Sequence, residues 1–485
     1  MGVLSDLEPK EVFSYFEEIC SIPHASYHEE KISNYCAEFA RKHNLTYYQD
    51  DLKNVIIIKE ASKGYEDEEP LIIQGHLDMV CEKTPGCQID FDKDGLKIMA
   101  EGDYITADGT TLGGDDGIAV AYALAILASD SIAHPRLEVI FTVSEEVGME
   151  GASGIDVSML KGRRLLNLDS EEEGIMLAGC AGGARAACSL PVRRVPAQGT
   201  AVKISVTGLA GGHSGAEIHK GRANANTLMG RILVDLSEQI TYSLAVFEGG
   251  NKDNAIPREC TVTLFISEQD FEAAKQETAK IQKAISSEYA VTDKNIQITI
   301  QTADECGGLT PSSMLDEEST RQAVLLVNAL PNGIQAMSAD VEGLVETSLN
   351  LGVLKLEESE LILTYAVRSS VGSAQEALLN KMSYLTRGLG GNIRIAGRYP
   401  AWEYKRDSVL RDKMSAVYEK MYGTKPVIQA IHAGLECGLL AGKLPGLDCI
   451  SIGPDMESVH TTEEKLSISS VKRVWEFILE VLKTK

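Results

Sequence analysis

Histidine and carboxylate side chains follow several predicted strands of this sequence, and strand ends are where α/β sheets place their ligand sites. The first pair lies in the segment Gly75-His76-Leu77-Asp78. A histidine can bind zinc through one ring nitrogen while a nearby carboxylate holds the N–H of the other. Asp78 is spaced to hold His76 in this way, although a single His-x-Asp is more typical of an ordinary surface histidine.

Two aspartates begin a predicted Ala-rich helix in the segment Gly113-Gly114-Asp115-Asp116-Gly117. The flanking glycines permit unusual backbone angles. A carboxylate held between them can bridge two cations with its two oxygens. The alternative is an acidic residue that complements the helix dipole, and for Asp116 alone the two interpretations weigh equally.

Three more segments add groups that can bind metal or transfer protons. Glu145 and Glu146 follow the predicted strand Leu137–Val143 and face different directions, so one can bind metal while the other handles protons. Asp169 ends another predicted buried strand, and His460 lies near the carboxyl terminus. Each is uninformative alone, because such residues are common in loops.

The joint set is more specific than any of its members. It offers five nitrogen and oxygen ligands, which suits two zinc ions that share one carboxylate. The five are His76, Asp115, Glu146, Asp169 and His460. Ligand type does not separate zinc from cobalt or manganese. The other histidines that match no ligand role are interpreted as ordinary: His24, His28, His43, His134, His219 and His432.

With these segments in place, the chain resembles the aminoacyl-histidine (Xaa-His) dipeptidases, within the carboxypeptidase- and aminoacylase-like superfamily of dizinc hydrolases. The resemblance covers nearly the whole chain and agrees in order and spacing. Its matching segments are Gly75-His76-Leu77-Asp78, Gly113-Gly114-Asp115-Asp116-Gly117, Ser144-Glu145-Glu146-Val147-Gly148, Asn167-Leu168-Asp169, Gly211-Gly212-His213-Ser214-Gly215 and Val459-His460-Thr461.

The resemblance implies a role for each residue of the metal centre. It implies that Asp115 bridges two ions, with His76 and Asp169 on one ion and Glu146 and His460 on the other. It further implies that Asp78 orients His76, that Glu145 is the general base, and that Asp116 is structural, joined to Asp115 by a cis peptide.

The resemblance also implies substrate-binding residues. His213, Asn254 and Arg368 would close over the substrate. The planar fork of Arg368 suits a terminal carboxylate, and His213 or Asn254 could donate a hydrogen bond to the reacting carbonyl oxygen. Gly434 and Glu436 match a substrate-wall loop, in which Glu436 could meet a charged substrate group. The alternatives are that Arg368 is only a surface cation and that Glu436 complements a helix dipole.

The elements before residue 187 alternate between strands and helices, which is typical of an α/β domain. Apolar runs at Val55–Ile58 and Leu71–Gln74 predict neighbouring strands. An Ala-rich helix is expected over Gly117–Ser129, followed by strands over Leu137–Val143 and Leu165–Leu168. The same alternation returns after about Pro400. Helices are expected over Ser408–Met421 and Ser470–Lys483, and strands over Val427–Ile431 and Leu447–Ile452.

From about Ala201 the residues alternate between apolar and polar, as in sheets with one exposed face. The expected elements include a helix over Arg222–Ser237, a strand over Cys260–Ser267, a helix over Phe271–Ser287 and a strand over Ile296–Thr302. Their order is partly repeated by elements near Ser348–Leu354, Leu361–Val367, Gln375–Arg387 and Asn392–Ile395, whereas the segment Gly307–Val345 is not clearly patterned.

We therefore expect an α/β, zinc-exopeptidase-like catalytic domain with a mixed central sheet, interrupted by an inserted α+β lid domain. The lid is expected to contain ferredoxin-like units, and the partial repeat leaves open whether they are a duplication. The expected boundaries are 1–186 and 399–485 for the catalytic domain and 187–398 for the lid.

The composition of the chain disfavours some binding partners and indicates its cellular compartment. The 485 residues include 71 acidic and 46 basic ones, and the net charge of −25 disfavours nucleic acid and anionic membranes. The 10 cysteines form no CxxC pair, and neither a secretory leader nor an apolar run of membrane-spanning length is evident. These features indicate a cytoplasmic protein, and they leave open whether the lid forms a homodimer.

The expected activity is zinc-dependent hydrolysis of unblocked dipeptides, Xaa-His among them. In this hypothesis a water bridging the two ions loses its proton to Glu145 and attacks the peptide carbonyl. One alternative is an amidohydrolase of the same fold that acts on N-acyl amino acids or tripeptides. A more distant alternative is a non-catalytic binding protein, which loss of Glu145 or of a ligand would have favoured.

Overall fold

The computed structural model describes residues 2–302, 305 and 310–485. The chain divides into two compact units. Unit 1 comprises Met1–Gly179, Tyr404–Ala430 and Leu435–Lys485, and unit 2 comprises Cys180–Glu403 and Ile431–Gly434. In the sequence, unit 2 thus interrupts unit 1.

The helices of the described residues are α1 (Lys10–Cys20), α2 (Glu30–Lys42), α3 (Gly114–Ala128), α4 (Glu150–Gly154), α5 (Ala225–Ser237), α6 (Phe271–Glu288), α7 (Glu317–Ala329), α8 (Gly372–Gly388), α9 (Val409–Tyr422), α10 (Glu436–Lys443) and α11 (Ile468–Lys483). None of these described helices has both the length and the apolar character of a membrane span.

The strands of the first half are β1 (Thr46–Gln49), β2 (Val55–Lys59), β3 (Leu71–His76), β4 (Ile98–Glu101), β5 (Tyr104–Ala107), β6 (Leu137–Thr142), β7 (Arg164–Asn167), β8 (Ile175–Cys180), β9 (Gly182–Pro191), β10 (Arg194–Pro196), β11 (Thr200–Thr207), β12 (Gly212–His213) and β13 (Tyr242–Gly249). Those of the second half are β14 (Ala255–Ile256), β15 (Cys260–Ile266), β16 (Gln297–Thr302), β17 (Ser313–Leu315), β18 (Gly333–Met337), β19 (Val345–Leu356), β20 (Glu360–Ser369), β21 (Asn392–Tyr399), β22 (Val427–Ile431), β23 (Asp448–Ser451), β24 (Met456–Glu457) and β25 (Lys465–Ser467).

Unit 1 is built on a mixed sheet with the strand order β1-β2-β6-β3-β7-β23-β8-β22. Strands β6, β3, β7 and β23 run parallel to one another. The expectation that β2 and β3 are neighbours is wrong, because β6 pairs with both and lies between them. All residues of β6 are buried, as expected for a strand in the interior of a sheet.

The core of unit 1 surrounds α3. Every residue of this helix from Gly114 to Leu127 is buried, which explains why its sequence is apolar on all sides. Helix α1 packs on α3 with Val12, Phe13 and Phe16 fully buried. The helix that supplies two site aspartates at its first turn is therefore fixed along its whole length.

A small second sheet in unit 1 has the order β24-β25-β5-β4. Strand β25 pairs with β5 through Leu466 and Ile105. The loop that carries His460 joins β24 to β25, and the segment that leads into α3 follows β5. This sheet thus links two parts of the chain that are far apart in sequence.

Unit 2 contains two ferredoxin-like repeats in one sheet, ordered β16-β11-β15-β13-β19-β20-β9-β21. Repeat A is β11-α5-β13-β15-α6-β16, and repeat B is β9-α7-β19-β20-α8-β21. Each repeat has the order 4-1-3-2 counted from its own last strand, and the two meet where β13 pairs with β19. Repeat A is inserted in the sequence of repeat B after its first strand. This order contains the expected ferredoxin-like units and shows that they occur twice.

The sequence interpretation missed two elements of repeat B. Strand β9 is rich in glycine and alanine at its start, and α7 lies in the Gly307–Val345 segment that was expected to lack a pattern. Residues 307–309 of that segment lie outside the described residues. The expected domain boundaries at 186/187 and 398/399 fall inside β9 and β21.

Candidate active site

Three neighbouring parallel strands bring site residues to one edge of the unit 1 sheet. His76 is the last residue of β3, the Glu145-Glu146 pair follows β6, and Asp169 follows β7. The register pairs His76 with Thr142 of β6, so these strand ends are level with one another. Since carboxyl ends of parallel strands meet at the same edge, the three segments converge although they are distant in sequence.

Asp115 lies between two histidines. Its Oδ1 is 3.0 Å from Nε2 of His76, and its Oδ2 is 3.1 Å from Nε2 of His460. The same nitrogen of His460 is 2.9 Å from Oε1 of Glu146. Nε2 of His76 is 3.5 Å from Oδ1 of Asp169. The two oxygens of one carboxylate thus face two different clusters of ligand-type atoms.

These donors fit divalent cations. Imidazole nitrogens and carboxylate oxygens are ligands for zinc and also for cobalt and manganese. Among the described residues, ligand atoms of His76, Asp115 and Glu146 lie within 4.8 Å of one another, as do those of His76, Asp116 and Asp169. Both groups contain His76, and with the contacts of His460 they place nitrogen and oxygen ligand atoms beside each oxygen of Asp115.

Asp116, expected to be structural, is fully buried and follows a cis peptide bond with Asp115. Its Oδ2 accepts the backbone N–H of His76 at 3.0 Å, which ties the first turn of α3 to the end of β3. Burial, together with the charge of Asp169, raises the pKa of Asp116 well above its ordinary value. This contact fixes the backbone beside His76.

The carboxylates hold protons on the two histidines when no cation is present. The hydrogen bonds that His460 donates to the carboxylates of Asp115 and Glu146 raise the pKa of His460 to about 10. Burial lowers the pKa of His76, but the charge of Asp169 and the hydrogen bond with Asp115 raise it well above its ordinary value. A metal ion bound here must displace these protons, because only neutral imidazole is a ligand.

Asp78 contacts both the first histidine and the Glu145-Glu146 loop. Nδ1 of His76 donates to the main-chain oxygen of Asp78 at 3.0 Å, with the Asp78 carboxylate at 3.5 Å. This contact leaves Nε2 of His76 to face Asp115. The Asp78 carboxylate accepts the backbone N–H groups of Glu145 at 2.9 Å and Glu146 at 3.3 Å. Asp78 therefore positions His76, mainly through its main-chain oxygen, and it positions the Glu145-Glu146 loop through its carboxylate.

Two residues of the loop before α2 support the same region and were not identified from the sequence. Ser26 donates to the Asp78 carboxylate at 2.9 Å. Glu29 is buried, and its Oε1 accepts the backbone N–H of Ser144 at 2.9 Å and its hydroxyl at 2.8 Å. Ser144 has a φ of 54°, and it immediately precedes Glu145. No motif surrounds Ser26 or Glu29, so only the fold reveals them.

Glu145 is partly buried. Burial raises its pKa well above the ordinary value, and the carboxylates of Asp169, Glu436 and Glu146 act in the same direction. A carboxyl group with a raised pKa can both accept and return a proton near neutral pH. This environment suits the acid/base role that the resemblance implies.

Glu436 has 0% exposure, which differs from its expected contact with a charged substrate group. Its Oε2 accepts from Nε2 of Gln74 and from the hydroxyl of Thr142, both at 2.6 Å. Gln74 in turn accepts from the Asn167 amide at 2.7 Å. Burial raises the pKa of Glu436 to about 8. Glu436, the first residue of α10, thus contacts β3 and β6 directly and is connected to β7 through Gln74. It is not in contact with solvent.

The remaining expected substrate-binding residues lie in unit 2, where β12 pairs with β14. Nδ1 of His213 accepts the backbone N–H groups of Gly215 at 3.2 Å and Ala216 at 3.0 Å. Because Nδ1 is an acceptor, the proton is on Nε2, which becomes a donor. Burial, and then the charge of Arg368, lowers the pKa of His213. His213 is therefore a neutral hydrogen-bond donor.

Asn254 lies next to His213 in this unit. It immediately precedes β14, and its main-chain oxygen accepts the N–H of Ser214 at 2.8 Å. Its side chain is exposed to solvent. The pairing of β12 with β14 thus accounts for the proximity of two residues that are far from adjacent in sequence.

Arg368 also lies close to the His213 turn. A Cβ atom added to Gly215 would be 2.9 Å from Nε of Arg368 and 2.6 Å from the main-chain oxygen of His432, so only glycine fits there. Nη1 of Arg368 donates to the Tyr399 hydroxyl at 2.9 Å. These contacts hold the guanidinium in one place within unit 2.

His432, which was interpreted as ordinary, is buried beside this cluster. Its Nε2 is 2.7 Å from the hydroxyl of Ser348. Burial, and then the charge of Arg368, lowers its pKa to about 4. Gly434, two residues later, belongs to the same short segment of unit 2. Neither His432 nor Tyr399 carries a motif that would have identified it in the sequence.

Comparisons with known proteins identify relatives along the whole chain. A family model described as a peptidase dimerisation domain matches residues 204–293. The cytosol non-specific dipeptidase of Escherichia coli (strain K12) is 36% identical over 485 residues, which cover 100% of this chain and 99% of that protein.

Solved structures also match nearly the whole chain. The crystal structure of aminoacylhistidine dipeptidase from Vibrio alginolyticus matches with a TM-score of 0.93 and 36% identity, covering 99% of this chain and 97% of that one. The aminopeptidase PepT from Bacillus cereus ATCC 10987 matches with a TM-score of 0.55 and 16% identity over 98% of each chain, a likeness of fold.

Proposed function

Because this chain belongs to the aminoacyl-histidine dipeptidase family, we propose that it is a metal-dependent peptidase that hydrolyses unblocked dipeptides. The observation that carries the proposal is the position of Asp115, whose two oxygens face His76 and His460 at 3.0 and 3.1 Å. A shared carboxylate between two sets of donors is the arrangement that a two-metal hydrolase needs.

The proposed ligands are those of the two clusters. Asp115 would be shared by both ions, His76 and Asp169 would hold one ion, and Glu146 and His460 would hold the other. Zinc is the proposed metal, with cobalt and manganese as alternatives that the same donors accept. Bound ions of this type acidify water and polarise a carbonyl oxygen. Asp78 keeps Nε2 of His76 directed at Asp115, and Asp116 keeps the adjoining backbone in place.

Glu145 is the proposed general base and acid. It takes a proton from the water that attacks the peptide carbonyl carbon, and it returns that proton to the leaving nitrogen as the C–N bond breaks. Burial raises the pKa of Glu145, and this supports the double role because a carboxyl group with a raised pKa holds a proton more readily. The backbone N–H groups of Glu145 and Glu146 donate to the Asp78 carboxylate, and these bonds hold the Glu145 main chain while its side chain transfers the proton.

Residues of unit 2 are proposed to bind the substrate. His213 offers its Nε2–H to the carbonyl oxygen as that oxygen gains negative charge. Arg368 binds the terminal carboxylate through its planar fork. Asn254 and Gly434 are proposed to make the remaining contacts with the substrate. Because Glu436 is buried, we assign it to the support of the strand ends and not to the substrate.

We infer the substrate class, the cellular compartment and the oligomeric state from the comparisons with known proteins. We propose broad activity on dipeptides with Xaa-His among them, because one relative is described as non-specific and another as an aminoacylhistidine dipeptidase. The chain is proposed to be cytoplasmic, as that non-specific dipeptidase is described as cytosolic. The match to a dimerisation domain supports a homodimer.

The direct test is hydrolysis by protein stripped of metal and then supplied with zinc, cobalt or manganese. The substrates are an Xaa-His series, other dipeptides, tripeptides and N-acyl amino acids. We expect no activity without metal and preferential release of amino acids from free dipeptides when metal is restored. Preferential cleavage of N-acyl amino acids or tripeptides would favour the alternative amidohydrolase function.

A further inference from the structure

Glu464 is a buried carboxylate that binds three successive backbone N–H groups. Its Oε2 accepts from Leu112 at 2.7 Å and from Gly113 at 3.2 Å, and its Oε1 accepts from Gly114 at 2.8 Å. Its side chain is 3% exposed. A buried carboxylate is costly unless it is fully hydrogen-bonded, and three N–H donors provide that compensation.

The two ends of this contact lie beside two proposed metal ligands. Gly114 immediately precedes Asp115, and Glu464 follows His460 by four residues in the loop between β24 and β25. That loop is closed by backbone bonds from Thr461 to Ser458 and from Glu464 to Thr461, each 3.2 Å long. A shift of the Glu464 carboxylate is therefore transmitted to both ligand-bearing segments.

The main chain of these segments needs an external restraint. Gly113 has a φ of 67° and His460 a φ of 65°, both in the left-handed region. Glycine adopts such angles readily but also leaves them readily, so the backbone before Asp115 is intrinsically adaptable. The three N–H groups can all point at one acceptor only in a narrow range of loop conformations. Glu464 supplies that acceptor.

We propose that Glu464 is a positioning residue that holds Asp115 and His460 in register for the ion that both of them, together with Glu146, are proposed to bind. The inference rests on the proposed function. The Glu464 carboxylate touches neither the ion nor the substrate in this proposal. Its effect is on both metal positions, because both use Asp115, and it is larger at the position that also uses His460, because only that position depends on both restrained segments.

The test is a zinc titration of metal-free protein, read by metal analysis, for the parent chain and for Glu464→Gln. Glutamine keeps the shape but replaces one acceptor oxygen with an amide that repels a backbone N–H. We expect the parent to bind two equivalents. In the variant the affinity for one equivalent should fall by roughly 10- to 100-fold, as for other residues that support metal ligands, and the affinity for the other should fall by a smaller factor.

Two variants separate positioning from general stability. Glu463→Gln alters the exposed neighbouring residue and should leave both affinities unchanged. Glu464→Asp keeps the charge but withdraws it by one methylene group, and it should give an intermediate affinity for the second equivalent. Thermal unfolding provides an independent readout: the gain in melting temperature on adding zinc should be smaller in Glu464→Gln than in the parent.

The outcomes distinguish this inference from the proposed function. A parent chain that binds fewer than two equivalents contradicts the two-metal proposal and the role of Glu464 with it. A parent that binds two equivalents, with Glu464→Gln and Glu464→Asp binding both at parent affinity, overturns the positioning role alone. Equal weakening of both equivalents in Glu464→Gln also overturns it, because the position that uses His460 would then depend on Glu464 no more than the other position does.

Discussion

At the scale of single residues, the site depends on which atom of each side chain is directed where. Nε2 of His76 faces Asp115 because Nδ1 is occupied by the main-chain oxygen of Asp78, 3.0 Å away. Nε2 of His213 is a donor because two backbone N–H groups point at its Nδ1. In both histidines, a contact on one nitrogen determines the chemistry of the other.

Replacement of Glu145 tests the proton-transfer role. Glu145→Gln removes the basic oxygen but keeps the size of the side chain, so kcat on a dipeptide should fall by about 10²- to 10⁴-fold. Zinc content should stay at the parent level, because Glu145 is not a proposed ligand. Glu150→Gln, at an exposed position just beyond the loop, is the matched control. Parent-level kcat in Glu145→Gln would remove this residue from the mechanism.

His213 is tested by a variant that lacks its donor. Because the Nε2–H is proposed to stabilise charge that develops on the carbonyl oxygen, His213→Ala should lower kcat by about 10²- to 10³-fold. His219→Ala changes an exposed histidine of the same loop and should keep the parent kcat. Steady-state kinetics on one dipeptide are sufficient. An effect confined to KM would instead assign His213 to ground-state binding.

The residue types of the site were predictable from the sequence, but their contacts were not. Acidic and imidazole groups after apolar runs indicated the metal centre. The backbone role of Asp78, the burial of Glu436 and the supporting roles of Ser26, Glu29 and Glu464 depend on contacts between segments distant in sequence. Periodicity and local motifs carry no information about such contacts.

At the scale of elements, the strand ends are held level by a buried network of polar side chains. Gln74, Thr142 and Asn167 come from β3, β6 and β7, and Glu436 at the start of α10 connects them. Each of the three strand residues lies within a few positions of a residue proposed to act on metal or substrate. The network therefore stabilises the sheet and also fixes the positions of the site residues that follow these strands.

Substitution of Glu436 separates this supporting role from the contact with substrate that the sequence indicated. Glu436→Ala removes the acceptor of the two 2.6 Å hydrogen bonds from the Gln74 amide and the Thr142 hydroxyl, which should lower the free energy of unfolding by about 1–3 kcal/mol. Urea denaturation measures this change. The ratio of kcat/KM values for cationic and neutral dipeptides should not change. A selective loss for cationic dipeptides would restore Glu436 to the substrate site.

The elements themselves were largely predictable, and their neighbours in the sheet were not. Strands β2, β3, β6 and β7 and helix α3 were expected close to where they lie, because buried runs and Ala-rich segments are strong signals. The insertion of β6 between β2 and β3 depends on pairing over long sequence separations. Strand β9 was missed because its initial glycines and alanines lack the β-branched residues typical of strands.

At the scale of the whole molecule, unit 2 combines an internal duplication with a match to a dimerisation domain. The match at residues 204–293 falls within repeat A, whose strand β13 pairs with β19 of repeat B. One edge of repeat A is thus covered by the same chain. The ferredoxin-like order was foreseeable from the alternation of elements, but the joining of the two repeats into one sheet was not.

Light scattering coupled to size-exclusion chromatography tests the proposed homodimer. The dimerisation domain match predicts a mass near twice the chain mass of 52.5 kDa at micromolar concentration. The outer strands β16 and β21 of the described sheet remain as edges that a second chain could reach. A mass equal to one chain at all concentrations would mean that repeat B takes the place of a second subunit.

A crystal of the zinc-loaded protein, measured at the zinc absorption edge, will show whether Asp115 is shared by two metal positions. We expect two anomalous peaks at this site, one beside each Asp115 oxygen, with His76 and Asp169 at one peak and Glu146 and His460 at the other. A single peak, or zinc bound away from Asp115, would rule out the shared carboxylate.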